Sequence, residues 1–144
     1  MLIVAVLIAM LKRLRLEIKY LTAIPASTVC EPAVPTKHTR IMYIEDKSGG
    51  LEGLARIGRV TFSKSRQSLT YAGRELMRTK GGYKYNHFDS ATLAHFWISG
   101  PKKRGGDRLY GIGRVDIDDD VRAEYWTHIR SQPERSHLSS YLDR

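Results

Sequence analysis

The chain has 144 residues, with 24 Lys and Arg against 15 Asp and Glu, for a net charge of +9. It is 42% hydrophobic and 27% charged, which excludes a disordered polyelectrolyte and suits one domain with a modest core. A balance this basic favours anionic partners such as nucleic acid, acidic protein or anionic lipid. The one cysteine, Cys30, excludes an intramolecular disulfide and any zinc site made of two or four cysteines, and it fits a reducing cytoplasm.

Residues 1–24 read apolar, then basic: MLIVAVLIAM followed by LKRLRLEIKYLTAI. The uncharged run, 1–11, falls short of the roughly 20 residues needed to span a bilayer. Its cations follow the apolar run, whereas a secretory signal puts them in front. Leu11, Leu14, Ile18 and Leu21 recur at helical spacing with Lys12, Arg15 and Lys19 between them, a pattern that suits an interfacial amphipathic helix. Residues 25–41 hold Pro25, Pro32 and Pro35 and read as a linker. The preferred reading sets 1–41 apart from the native protein and starts the domain at Met42.

From Arg56 the period is that of strands. RIGRVTFS (56–63) puts Val60 and Phe62 on one face, and SLTY (68–71) alternates in the same way. Ala72–Gly73 suits a two-residue hairpin loop, with RELMRT (74–79) returning. Gly81–Gly82 interrupts. YKYNHFD (83–89) and AHFWISG (94–100) follow as further strands. Gly100–Pro101 ends the second of these, because Pro has no N–H for a ladder. Asp116, Asp118, Asp119 and Asp120 precede VRAEYWTHIR, whose spacing predicts one helix over about 119–130. The tail, 131–144, is polar and is expected to fray. The fold class is therefore mainly β (α+β). We expect a small antiparallel meander or barrel of five or six strands in a compact 42–130 domain, closed by one C-terminal helix.

The stretches MYIEDKSGGLEG, ARIGRVTFSK, FWISGPKK, GGDRLYG and DDDVRAEYWTHIR resemble an uncharacterised family of small bacterial proteins, over about residues 42–130. The resemblance implies no activity, cofactor or site. Some members of that family bear the name 1-deoxy-D-xylulose-5-phosphate synthase, which these residues do not support. Such a thiamine-diphosphate enzyme is several times longer and needs Gly-Asp-Gly with an Asn downstream to hold magnesium and diphosphate. Here Gly106–Asp107 is followed by Arg108, and Asn86, upstream, is the sole asparagine.

Three candidate chemistries are weak. Gly100 and Gly105 have the spacing of a phosphate-cradling loop, but Gly106 and Asp107 stand where Lys and Ser or Thr are required. Asp116, Asp118 and Asp120 match the start of a calcium loop. Val121 replaces its glycine and Thr127 its final Glu, so capping of the following helix is the better reading. His87, Asp89 and His95 could converge from neighbouring strands, but in no recognised ligand spacing. A small enzyme of unseen type would need that convergence. We expect no catalytic, cofactor or metal residues.

A basic and aromatic surface is the strongest candidate: Arg78, Lys80, Lys84, Lys102, Lys103 and Arg104, interleaved with Tyr83, Tyr85, Phe88, Phe96 and Trp97. Small barrels bind single-stranded nucleic acid with this mixture, rings stacking on bases and cations tracking phosphates. The same pattern arises when rings form the core and cations the solvated face. The expected function is a non-enzymatic cytoplasmic binding module. A protein is the leading partner. Nucleic acid, held by the 78–104 surface, is the runner-up.

Overall fold

The computed structural model describes residues 38–144. The amphipathic spacing at 11–21, Cys30 and most of the 1–41 segment lie outside the described residues. Among the described residues, eight strands form: β1 (Thr39–Asp46), β2 (Ala55–Phe62), β3 (Ser68–Tyr71), β4 (Arg74–Arg78), β5 (His87–Asp89), β6 (His95–Ser99), β7 (Gly113–Ile117) and β8 (Ser140–Asp143). The order β1-β6-β5-β4-β3-β2 closes on itself through β1–β2, giving a six-stranded antiparallel barrel. β7 adds to β2 in parallel, and β8 pairs antiparallel with β7. One short helix, α1 (Arg122–Glu124), runs on into a π-turn (Tyr125–Ile129).

Strand period decides the two cores. Ile44, Val60, Leu69, Leu76, Phe96 and Ile98 fill the barrel. The alternate residues of β1 and β2, Ile41, Tyr43, Ala55 and Ile57, face outward. They pack with Val115 and Ile117 of β7 against Val121, Tyr125 and Trp126. A sheet with both faces covered needs apolar residues on both, which explains the near-continuous run Ile41–Ile44. The hairpin loop stands as the sequence predicts: Ala72 and Gly73 have φ of 48° and 75°.

Four differences from the sequence reading have local causes. β1 starts at Thr39, inside the stretch read as linker, and its first residues pair with Thr61, Val60 and Arg59. Of 83–89 only His87–Asp89 is strand, because β4 ends at Arg78 and offers partners no further. Gly113–Ile117, unread as strand, is drawn into the sheet by pairing with Ala55–Ile57. The segment expected to fray holds a helical turn at Pro133–Arg135 and β8, and Asp143 near its end is 3% exposed.

Candidate functional site

One end of the barrel is cationic. Arg40 lies two residues before Met42 on β1, and Arg78 two residues after Leu76 on β4, so both continue the inward-facing register to the rim. Arg66 stands in the β2–β3 turn with φ of 57°. These three, with Phe62, Asn86, His87 and Ile98, line a cavity of about 230 Å³ that no carboxylate enters. Seven arginines elsewhere (Arg56, Arg59, Arg74, Arg108, Arg114, Arg122 and Arg130) have carboxylate partners. The side chains of Arg40, Arg66 and Arg78 have none among the described residues.

His87 forms part of the floor. The Asn86 side chain is fixed by β6: its Nδ2 donates to the Ile98 carbonyl at 2.7 Å and its Oδ1 accepts from the Ile98 N–H at 2.8 Å. Oδ1 is therefore an acceptor, so His87 Nδ1, at 2.8 Å, must carry the proton it donates. Nε2 is left as a bare acceptor. Burial pushes the His87 pKa down to about 4, with Arg78 adding repulsion, and the ring is neutral.

The cationic mouth continues onto the β4–β5 connection. A second concavity is lined by Gln67, Arg78, Thr79, Lys80 and Gly81, and a third by residues 79–85. Arg78 and Thr79 belong to neighbouring hollows and join them. Tyr83 is 71% exposed, with Lys84 Nζ 5.5 Å from its ring centre. Tyr85 stacks on His95 at 3.8 Å and is half-buried.

Lys102, Lys103 and Arg104 are exposed but line none of these three hollows. Their loop is pinned from beneath. Asp107 Oδ1 accepts the Lys102 N–H at 2.6 Å, while Oδ2 accepts Tyr125 Oη–H, Tyr141 Oη–H and Arg130 Nη2–H. Asp143 in turn accepts the Asp107 and Arg108 N–H groups at 2.6 and 2.7 Å. The stretch FWISGPKKRGGDRLYG is thus an inner strand followed by a braced loop. The 78–104 surface divides in two. Arg78, Lys80, Tyr83, Lys84 and Tyr85 stay together, and the 102–104 triad sits apart from their hollows. Phe96 is core, Trp97 packs on the outer core and Phe88 is half-buried.

Sequence reasoning missed Arg40 and Arg66. Arg40 fell in the supposed linker and Arg66 in a polar turn. For Arg40 the signal was a strand's inward register ending on a cation, legible only once β1 and β4 are known to share a barrel; Arg66, in a turn, carried no such signal.

The other candidates do not assemble. His87 and Asp89 share the inner register, whereas His95 faces outward to Tyr85. Asp89 accepts the Ala91 and Thr92 N–H groups, and the Ala91 bond holds its carboxyl below the ordinary range. The aspartates of 116–120 do not cap α1, whose N-cap is Val121 with no side-chain bond. They take cations instead: Asp116 with Arg114, Asp118 with Arg56, Asp119 with Arg122 and Asp120 with Arg59. Among the described residues no group of three or more His, Cys, Asp or Glu is placed to hold a metal, and no helix is long and apolar enough to cross a membrane. No family model, curated protein or solved structure matches the chain.

Proposed function

We propose that this chain is a non-enzymatic cytoplasmic binding module for single-stranded nucleic acid. The observation that carries the reading is the mouth of the barrel, where Arg40, Arg66 and Arg78 converge without a carboxylate. Unneutralised like charges repel, so three guanidiniums in one hollow favour an anionic occupant. Lys80 and Lys84 extend the positive track along the β4–β5 loop, and exposed Tyr83 offers a ring face for a base. The geometry thus favours the sequence's runner-up partner over a protein.

The test is fluorescence anisotropy of the full chain with single-stranded RNA, single-stranded DNA and duplex DNA at two salt concentrations. Single strands are expected to bind at low salt. Lys80→Gln/Lys84→Gln should weaken them more than Lys102→Glu/Lys103→Glu/Arg104→Glu does. No binding at low salt would sink the reading.

A protein partner is the second reading, favoured by an apolar patch at the other end of β2. Leu54 and Ile112 are 83% and 68% exposed. Their loops meet where Glu52 lies against Gly111 and where Arg108 Nη2 donates to the Gly53 carbonyl.

A further inference from the structure

The barrel mouth is more selective than a general polyanion track. We propose that it is a receptor for a terminal phosphomonoester, taken from the end of a nucleic-acid strand or from a free nucleotide; the strand form rests on the function proposed above.

Three features distinguish a terminus from an internal phosphodiester. The first is charge. A phosphodiester carries one negative charge, whereas a phosphomonoester carries about −1.5 to −2 near neutral pH. Arg40, Arg66 and Arg78 reach the hollow from β1, the β2–β3 turn and β4. Cations converging from three elements suit one compact phosphate group with three free oxygens. A chain of single charges is better served by cations in a line, as at Lys80 and Lys84. Guanidinium forks also match phosphate oxygens in pairs.

The second is shape. Phe62, His87 and Ile98 lie on the inner faces of β2, β5 and β6, with Ile98 4% and His87 8% exposed. The hollow therefore ends on the barrel core, and a strand that enters has no way out on the far side. A cavity of about 230 Å³ holds several water volumes, enough for a phosphate and part of its sugar.

The third is the hydrogen-bond inventory. His87 Nε2 is an acceptor with no partner among the described residues, since Nδ1 is committed to Asn86. A phosphomonoester whose second ionisation falls near pH 6 keeps a P–O–H that can donate to Nε2. A phosphodiester has no such proton. The charged groups facing His87 across the hollow are Arg40, Arg66 and Arg78. All are cations, so none competes as an acceptor for the ring.

The experiment compares oligonucleotides of one sequence carrying a phosphate at the 5′ end, at the 3′ end or at neither, at pH 6 and pH 8. Wild type is set beside Arg66→Asn, in which Asn tolerates the left-handed backbone of that turn. Arg40→Gln is a second variant at an exposed position. One phosphorylated end is expected to bind about tenfold tighter than the hydroxyl end, and by a larger factor at pH 6. Both variants should weaken the phosphorylated end by a larger factor than the hydroxyl end and so erase that preference, while Lys80 and Lys84 keep a residual affinity for the strand. Equal affinity for all three strands would overturn the receptor and leave the strand-binding function standing. A nucleoside monophosphate is the separate arm. Should no strand bind while the monophosphate raises the melting temperature of wild type but not of Arg66→Asn, the receptor stands for free nucleotides and strand binding falls. No response in either arm overturns both.

Discussion

His87 links the fold to its own pH dependence. Its folded pKa is about 4 against 6.5 in an open chain, because charging it would bury an imidazolium beside Arg78. The unfolded state therefore binds more protons between these values. The stability that neutral His87 contributes is complete above pH 6.5 and is lost as pH falls toward 4. Urea midpoints taken across that window should decline with falling pH in wild type. In His87→Gln the decline should be shallower, and an unchanged slope would show that other groups set it. Asp107 is the residue-scale counterpart on the outer core. It is 4% exposed and collects four donors, from the Lys102 backbone, Tyr125, Tyr141 and Arg130. A buried charge of this kind is costly to strand, so Asp107→Ala should lose about 3–5 kcal/mol by urea denaturation. A loss under about 1 kcal/mol would mean that the loop finds other bonds.

At the scale of elements, the strands at the two chain ends of the described domain matter beyond their length. β8 is four residues, but its Asp143 receives the N–H groups of Asp107 and Arg108 and so ties the 100–112 loop to the sheet. Removing residues 140–144 should destabilise the outer core and speed proteolysis at 100–112, readable by limited digestion and mass spectrometry. A digestion pattern equal to wild type would refute that tie. β1 raises the same question at its start. A chain beginning at Met42 would lack Thr39–Ile41, their pairing with β2 and the burial of Ile41, an apolar term of about 2 kcal/mol. It would also lack Arg40, so the cationic mouth would lose one of its three guanidiniums. The hairpin strands β3 and β4 were legible residue by residue, because alternation and Ala72–Gly73 are local signals. β7 was not, because Asp116 and Asp118 make it look like the approach to a helix. Its burial depends on β2, sixty residues away along the register.

For the whole molecule, the barrel sorts charge by end. Arg40 and Arg78 occupy the inward register at one rim, and Asp46 and Asp89 occupy it at the other. Such an arrangement aims a positive field out of one mouth. If Arg40, Arg66, Arg78, Lys80 and Lys84 all meet phosphates, log K should fall with log salt at a slope of about −3.5. Anisotropy titrations over a salt series measure that slope. Replacing Lys80 should reduce it by about 0.7, and a slope near zero would point to apolar association through the Leu54–Ile112 end.

Local pattern was enough for the class of fold, since period-two runs with short turns have few ways to bury their apolar faces. It also determined the basic character of the β4–β5 loop, where Arg78, Lys80, Tyr83, Lys84 and Tyr85 are neighbours along the chain. Which cations act together follows from strand pairing instead. Closing β1 onto β6 and β2 brings Arg40 to Arg78, and the β2–β3 turn adds Arg66. The same closure leaves Lys102–Arg104 outside that group, though they follow the inner strand β6 directly. Neighbours in a barrel are set by strand pairing, which joins residues that sequence spacing leaves unrelated.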